Sequence, residues 1–368
     1  MANKETAGRP ERTRGSRGPF WRMLVLTGLL GLSCFADVSW LAELVLHCRL
    51  HLAGICLLLT LASLFRRRGW LALLGAATCL AYVGLLLPWL FLAEGTTSHR
   101  SENVLRVLCW NIQATNQDSE AVVRLSEDHQ ADVVMLLEYT PGFQRHCDQL
   151  RQRYPYHREL ALEGPFGIAV YSKHPGEFTT WELDPTTPCL EFQPGDKNLS
   201  IWAVHLFPPI SRQGWDRRNQ QLERLAESLK TQAALSGNRQ LVAGDFNLTP
   251  WTGIYQRFCA ELSLLDVSGR TGYAPTWPVA LGWLGIPIDQ VAATSELAAS
   301  RKVIRPAASG SDHAAVLIEV EAEERQAVYS ADSPSTVISR QVRASIPYQR
   351  ALGVSFFSLQ AMIDATTH

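Results

Sequence analysis

The chain has 368 residues, which exceeds one typical domain, and its formal net charge at pH 7 is −1. Residues 1–95 carry ten Lys and Arg against five Asp and Glu, whereas residues 96–368 carry 24 against 30. The mildly acidic second part argues against a protein that holds duplex nucleic acid by charge alone, because neutralising phosphates requires a basic face.

The early part of the chain has the composition of a membrane region. Three segments are nearly free of charge: residues 23–36, about 50–65, and 70–92. A membrane span needs roughly 17–25 apolar residues. The third segment is long enough, the first reaches this length with Phe20 and Trp21, and the second only if it starts near Leu44. We therefore predict a basic cytoplasmic N-terminus over residues 1–22 and a transmembrane region of about three helices over residues 23–93.

Basic residues predict the orientation. Six Lys and Arg precede the first segment, and Arg66–Arg68 separate the second from the third. The positive-inside rule places both groups in the cytoplasm. The prediction is a multi-pass protein of the cell (inner) membrane whose large domain lies on the periplasmic, extracytoplasmic side. A cleaved signal peptide over residues 1–36 is the alternative, and it leaves two spans and the same side for the large domain.

From about residue 103, short apolar runs alternate with helical patterns. The predicted strands are residues 104–110, 132–137, 167–172, 199–207, 239–244, 286–292 and 313–320, and the predicted helices are about 118–130, 141–153, 215–235 and 251–262. This alternation predicts an α/β domain whose sheets are covered by helices. Residues 174–198 are predicted to be a polar, Pro-rich loop.

The end of the chain loses this periodicity. Residues 323–368 are predicted to be a flexible tail, in which residues 355–363 could instead form a short docking helix. The eight cysteines include no Cys-x-x-Cys pair, so zinc and thioredoxin-like sites have no support. A disulfide among the four cysteines after residue 95 stays open.

Several apolar runs stop at a residue that can bind metal or phosphate. These residues are Asn111, Glu138, His205, Asp245, Asn247, Asp289, Asp312 and His313. In α/β sheets, ligands bind beyond the strand ends, where loops present side chains. Carboxylates and amides suit a hard cation such as Mg²⁺, and imidazoles suit proton transfer or the stabilisation of an oxyanion.

Each residue also has a purely structural interpretation. Asn111 could cap a turn, His205 could be a core histidine, and Asp245 with Asn247 could form an Asx-turn. Asp289 could pair with a nearby Arg. The recurrence of such residues at successive strand ends favours a site.

The motif set resembles the endonuclease/exonuclease/phosphatase (deoxyribonuclease I-like) superfamily. The motifs are WN at 110–111, LLE at 136–138, AVHL at 203–206, GDFN at 244–247, ID at 288–289 and SDH at 311–313. The resemblance covers about residues 103–322 in the expected order. Together with the preceding apolar segments, it is similar to a membrane-anchored bacterial branch of that group.

The resemblance implies a four-layer α/β sandwich, with two mixed β-sheets flanked by helices, and a metal-dependent phosphoesterase site. It implies Glu138 as the main ligand of Mg²⁺, with Asn111 and Asp312 nearby, and Mn²⁺ is the alternative ion.

The resemblance also implies the catalytic roles. His313, held in its tautomer by Asp289, would activate water or stabilise the transition state, and Asp245 would orient or deprotonate the water. Asn247 and His205 would donate hydrogen bonds to phosphate oxygens. Whether His313 or Asp245 is the general base stays open.

Two further residues bear on the substrate. Arg218 could reach a phosphate, or it could lie on a solvated helix face. Trp277 could stack on a base, touch lipid or serve packing. Gln290 departs from the histidine that many members of the superfamily place after this aspartate, which leaves the local hydrogen bonding in question.

We predict a membrane-anchored, Mg²⁺-dependent phosphoesterase that hydrolyses phosphodiester or phosphomonoester bonds outside the cytoplasm. Its substrate would be a lipid head group, a nucleic acid or a small phosphodiester. Its membrane partner would be a lipid bilayer, and no protein partner is inferred. The alternative is a catalytically silent fold that acts as a membrane-tethered binding or scaffold module. The presence of all eight strand-end residues favours the enzyme.

Overall fold

A computed structural model of the chain describes residues 18–91, 104–270, 272–306 and 310–321. The predicted tail over residues 323–368 and most of the predicted cytoplasmic N-terminus lie outside these ranges. The early part consists of four helices: α1 (Gly18–Ser33), α2 (Trp40–His47), α3 (Arg49–Phe65) and α4 (Gly69–Phe91). Each of the three apolar segments is therefore largely helical.

Among the described residues, one helix is long and apolar enough to cross a membrane, over Gly69–Trp89. Helices α2 and α3 pass the same test only as a pair, and the pair is bent by 63°. The sixteen residues of α1 are fewer than a span needs. By length and composition, the described helices thus offer one span, or up to two, rather than the three of the prediction.

Helices α1, α3 and α4 pack against one another through small residues. A Cβ atom on Gly75 would lie 2.2 Å from Oγ1 of Thr60, so the glycine allows α4 to approach α3 closely. Met23, Leu26 and Cys56 are buried between the helices. The Tyr82 hydroxyl donates a 2.9 Å hydrogen bond to the Leu26 carbonyl, which satisfies a polar group in an apolar interior.

Twelve strands in the described part of the chain form two six-stranded sheets. The first has the order β11-β12-β1-β2-β4-β3 and the second the order β5-β6-β7-β8-β10-β9. The strands are β1 (Val104–Asn111), β2 (Val133–Leu137), β3 (Tyr156–Leu160), β4 (Ile168–Ser172), β5 (Gly176–Asp184), β6 (Thr187–Pro194), β7 (Leu199–His205), β8 (Arg239–Asp245), β9 (Leu264–Asp266), β10 (Asp289–Thr294), β11 (Ala299–Ile304) and β12 (Ala315–Glu321).

Helices cover the outer face of each sheet. They are α5 (Ser119–Asp128), α6 (Pro141–Gln144) and α7 (Asp148–Arg153) on the first sheet, and α8 (Arg212–Ser236) and α9 (Gly253–Glu261) on the second. Helix α10 (Val267–Arg270) and a 3₁₀ helix η1 (Val279–Leu284) lie in the connection between β9 and β10. One apolar core lies between the sheets, a second between the first sheet and α5, and a third between the second sheet and helices α8 and α9. The predicted four-layer sandwich is confirmed.

The predicted loop over residues 174–198 is wrong, because most of it forms the hairpin of β5 and β6. Its prolines suggested a loop, since proline lacks the backbone donor of a ladder. The structure accommodates Pro188 and Pro194 near the ends of β6 and leaves β5 at the edge of the sheet. The predicted helix over 141–153 is broken into α6 and α7 around Arg145–Cys147. The four cysteines after residue 95 are buried free thiols.

Strand pairing brings the predicted strand ends to one place. Strands β1 and β2 are parallel, with Asn111 opposite Leu137. Strands β7 and β8 are also parallel, with His205 opposite Asp245, and antiparallel β10 places Asp289 beside Asp245. The two sheets pack face to face, so these ends meet along one edge of the sandwich.

Candidate active site

Asn111 and Glu138 occupy the ends of β1 and β2. The Asn111 amide nitrogen donates to Oε1 of Glu138 at 3.0 Å, and the backbone amide of Ala114 donates to Oε2 at 2.7 Å. Glu138 has a φ of 62°, a left-handed conformation that costs free energy for a residue with a Cβ. The strained backbone conformation therefore lies at the residue whose carboxylate points into the site.

His205 and Asp245 end the parallel strands β7 and β8. Nδ1 of His205 donates to the Pro165 carbonyl at 2.9 Å, which leaves Nε2 facing Oδ2 of Asp245 at 3.6 Å. Gly244 has a φ of 152°, and a Cβ there would lie 1.8 Å from the Val204 carbonyl oxygen. Only glycine permits the approach that brings Asp245 beside His205.

Hydrogen bonds of Asn247 stabilise the turn that follows β8. Its backbone amide donates to Oδ1 of Asp245 at 2.9 Å, so the Asx-turn of the structural interpretation is formed. Its side-chain nitrogen donates to the Leu206 carbonyl at 2.9 Å. The predicted contact with a phosphate would use the second hydrogen of that amide.

His313 and Asp289 form a buried pair. Nδ1 of His313 lies 3.0 Å from Oδ2 of Asp289, and Nε2 lies 3.7 Å from Oδ2 of Asp245. The Asn111 amide nitrogen, which also donates to Oδ2 of Asp245 at 3.1 Å, links this pair to Glu138. Ser311 fixes the loop, because its hydroxyl donates to the Asn111 carbonyl and accepts from the His313 amide.

Burial and neighbouring charges shift the pKa values of this group. Burial raises the pKa of Asp245 to about 6, helped by the charge of Asp289 and opposed by His313 and His205. Burial alone would lower the pKa of His313, but the charges of Asp289 and Asp245 raise it to about 9. These shifts favour a protonated His313 that faces the carboxylates of Asp289 and Asp245, so the cluster can bind and position a proton.

Asp312 and Trp277 lie next to this cluster. The Trp277 indole donates to Oδ2 of Asp312 at 2.8 Å, and the Val279 amide donates to the Asp312 carbonyl at 2.8 Å. The centroids of the Trp277 and His313 rings are 6.4 Å apart. The indole N–H of Trp277 thus orients a predicted metal ligand, while its half-buried ring borders the site.

Arg218 lies in neither of the two environments predicted for it, a phosphate contact or a solvated helix face. It is fully buried, and its guanidinium donates two 2.8 Å hydrogen bonds to Glu43 of α2. It also reaches the Asn247 carbonyl at 3.5 Å. A solvated helix face is therefore wrong, and the geometry gives no support to a direct phosphate contact, because the guanidinium is occupied by a carboxylate.

Among the described residues, one group of carboxylate and imidazole side chains is close enough together to hold a cation. Ligand atoms of Asp245, Asp289 and His313 lie within 4.8 Å of one another. In that set the hydrogen bond between Asp289 and His313 occupies the space between the donors, which is typical of a proton-handling pair. The predicted ligands Glu138 and Asp312 are both partly exposed and carry carboxylate oxygens, the ligand type that Mg²⁺ prefers, and their role as metal ligands stays a prediction. The Asn111 amide turns its nitrogen, not its oxygen, towards Glu138.

Sequence reasoning missed several residues that support the site. The Thr276 hydroxyl accepts from the Asp289 amide at 3.2 Å. The Gln290 amide nitrogen donates to the Leu248 and Pro287 carbonyls, at 2.6 and 2.8 Å, whereas its side-chain oxygen is buried without a hydrogen-bond partner. Glu43 lies 175 positions from Arg218, and no local pattern could have connected them.

Comparisons with known proteins show what the chain is similar to. The model of the Endonuclease/Exonuclease/phosphatase family matches residues 108–313. The structure of the 3′ phosphatase NExo from Neisseria, bound to a product DNA hairpin, aligns with a TM-score of 0.50, 18% identity and coverage of 60% of this chain and 99% of that one. An endonuclease/exonuclease/phosphatase from Beutenbergia cavernae aligns with a TM-score of 0.48, 21% identity and coverage of 60% and 72%. No curated protein sequence matches significantly.

The chain belongs to the Endonuclease/Exonuclease/phosphatase family, since the family model matches more than half of it. It is therefore a hydrolase that acts on phosphate ester bonds. Enzymes of this family generally depend on a divalent metal ion, and the cluster of carboxylates and imidazoles described above is the candidate place for one.

Proposed function

We propose that the chain is a membrane-anchored, Mg²⁺-dependent phosphoesterase whose catalytic domain, residues 103–322, works outside the cytoplasm. The observation that carries the enzymatic part is the buried pair of His313 and Asp289 facing Asp245, joined through Asn111 to Glu138. A scaffold protein has no use for so many buried ionisable groups, because burying charge is costly.

The roles of the residues follow from the hydrolysis of a phosphate ester. Glu138 and Asp312 would hold Mg²⁺, with Mn²⁺ as the alternative, and the ion would offset charge on the phosphate and on the leaving oxygen. Asp245 and His313 both border the place where a water molecule must be positioned. Asp245 can take its proton as a carboxylate, whereas His313 can do so only in its neutral form.

The remaining residues support the phosphate and the base. Nε2 of His205 points towards Asp245. Because Nδ1 already donates to the Pro165 carbonyl, Nε2 would donate to a phosphate oxygen from the imidazolium form, and Asn247 would donate beside it. Asp289 would fix the tautomer of His313 through Nδ1. Trp277 borders the site where the substituent of the phosphate would lie.

The membrane part of the proposal rests on apolar exposure. Among the described residues, 25 large apolar side chains are exposed, and 18 of them lie between Trp21 and Leu87. Such a belt is costly in water and is expected of helices that face lipid. It supports a transmembrane region over residues 23–93, in which α1 and α3 accompany α4 while α2 lies against the catalytic domain.

The orientation rests on the two ends of the helical bundle. Ala36, Leu46 and Leu86 pack with Trp251 of the catalytic domain at one end. The opposite end carries Arg66–Arg68, where α3 is connected to α4. Because basic residues favour the cytoplasmic side, the catalytic domain would face the periplasmic side of the inner membrane.

The test uses the full chain in detergent, assayed on DNA, RNA, sphingomyelin, phosphoinositides and a chromogenic phosphodiester, with and without Mg²⁺. Asp245→Ala and His313→Ala should each abolish the Mg²⁺-dependent activity. Activity that survives both substitutions, or is indifferent to EDTA, would overturn the mechanism. Absence of any activity, with tight binding of a phosphate ester retained, would favour the silent scaffold. A reporter fused to the C-terminus tests the topology and should be active only outside the cytoplasm.

A further inference from the structure

A short apolar loop beside the site is largely exposed. It consists of the 3₁₀ helix Val279–Leu284, and we call it the Trp283 loop. Leu281, Trp283 and Leu284 are 54%, 72% and 65% exposed. In the described part of the catalytic domain, seven large apolar side chains are exposed, and three of them lie in this loop. Such a concentration marks an interaction surface.

The loop is tied directly to the candidate site. Its first residue, Val279, donates its amide hydrogen to the Asp312 carbonyl, and Trp277 just before it donates to the Asp312 side chain. The backbone of Trp277 also pairs with Ile286 on the far side of the loop. Whatever the loop contacts is therefore held close to a predicted metal ligand.

The loop is also tied to the helical bundle. Nε2 of His51, in the first turn of α3, donates to the Leu284 carbonyl at 2.6 Å. That end of α3 is the one at which the bundle meets the catalytic domain. Ile55 and Leu58 follow His51 at helical spacing and are exposed, so the loop lies at the end of an exposed apolar face of α3.

The chemistry of the loop fits the interface between lipid and water. Tryptophan favours that interface because its ring is apolar and its N–H is polar. The Arg305 guanidinium lies 5.4 Å from the centroid of the Trp283 ring, and Arg305 is exposed. An exposed cation above an apolar loop suits a layer of phosphate-bearing head groups. A nucleic-acid site would set an aromatic ring in a basic groove, whereas Trp283 is flanked by the exposed apolar side chains of Leu281 and Leu284.

We propose that the Trp283 loop lies in the surface of the same bilayer that holds the helices, and that the site hydrolyses the head-group phosphoester of a membrane lipid. This inference rests on the proposed function and names its class of substrate. Water supplies a hydroxyl group to the phosphorus, the ester oxygen leaves with a proton, and no other reactant is required.

Two measurements on the full chain in nanodiscs test the inference. Quenching of tryptophan fluorescence by dibrominated phosphatidylcholine should decrease in Trp283→Phe and stay unchanged in Trp181→Phe, since Trp181 lies on β5 at the edge of the second sheet. In the double variant Leu281→Ser and Trp283→Ser, hydrolysis of sphingomyelin or phosphatidate in nanodiscs should decrease by about tenfold. Hydrolysis of soluble bis(p-nitrophenyl) phosphate should stay within about twofold.

Leu235→Ser is the matched control, because Leu235 is 77% exposed at the end of α8, and it should change neither rate. Equal quenching in Trp283→Phe and the wild type would overturn the bilayer contact and favour a protein partner or a second copy. A wild type that hydrolyses only the soluble ester, or prefers DNA, would overturn the lipid substrate while the proposed phosphoesterase stands. A wild type that hydrolyses neither ester would instead remove the proposed function, and the quenching would still decide the contact.

Discussion

The carboxylate of Glu43 accepts two 2.8 Å hydrogen bonds from the guanidinium of Arg218, and both side chains are buried. The Trp215 indole donates to the same carboxylate at 2.7 Å. His47, one turn after Glu43, contacts the Thr249 hydroxyl at 2.9 Å. Helix α2 is therefore joined to the loop that follows Asp245, and the helical region is a structural part of the catalytic domain.

Removing one member of this pair should destabilise the protein strongly. Glu43→Ala leaves the Arg218 charge buried without its partner, which costs about 3–5 kcal/mol. Thermal unfolding of the full chain should shift down by several degrees, and the double variant Glu43→Met with Arg218→Leu should recover much of the loss. Asp216→Asn, which breaks an exposed pair with Arg212 on the same helix, should leave the transition unchanged.

Asp289 should affect the rate of catalysis through its hydrogen bond to His313. Asp289→Asn keeps the size of the side chain but removes the charge that fixes the imidazole, so kcat should decrease by about 10²–10⁴. Hydrolysis of a chromogenic phosphodiester measures this change, and binding of a non-hydrolysable phosphate ester should be retained. A kcat within twofold of the wild type would contradict the assignment, provided that the variant unfolds at the same temperature.

Glu138 should determine the requirement for metal. Glu138→Gln removes a charge from the predicted ligand set, so the Mg²⁺ concentration for half-maximal activity should rise by at least about tenfold. A titration with Mg²⁺ after treatment with EDTA measures it. Glu163→Gln, on an exposed loop nearby, is the control and should behave as the wild type. An unchanged Mg²⁺ titration in Glu138→Gln would move the ion to the set of Asp245, Asp289 and His313.

Acid stability should depend on Glu159, which lies away from the site on β3. Although burial raises the pKa of Glu159, hydrogen bonds from Arg151, Gln144 and Tyr171 lower it to about 2. The folded-state pKa is below the unfolded one, so this contribution is complete above pH 4.5 and is lost as the pH falls through about 2. Its size is at most about 3 kcal/mol, because water that reaches this partly exposed network screens the charges.

Glu159→Gln should therefore lower the free energy of unfolding at pH 7 and flatten its dependence on pH between 4.5 and 2. Denaturant unfolding at several pH values measures both effects. The exposed Glu120 on α5, changed to Gln, provides the comparison and should leave the profile as it is. An acid profile that is the same in Glu159→Gln and the wild type would contradict the contribution.

The sequence by itself determined which residues end the strands. Alternating apolar and helical runs predicted the sandwich, and the order of Asn111, Glu138, Asp245 and His313 along the chain resembled one family. This succeeded because periodicity is a local property, and because parallel neighbours carry their carboxyl ends to a common edge. The prediction of a loop where β5 and β6 form a hairpin was wrong for the same reason, because prolines near strand ends give a local pattern that is typical of a loop.

Tertiary structure alone decided how the side chains pair. The Glu43 carboxylate binds the guanidinium of Arg218, which is therefore not free to contact a substrate. The indole of Trp277 orients Asp312 through a hydrogen bond. Partners separated by many residues leave no periodic signal, because their contact depends on how the helical bundle and the two sheets pack. The chain order thus specified the chemistry that was available, and the packing specified which groups face one another.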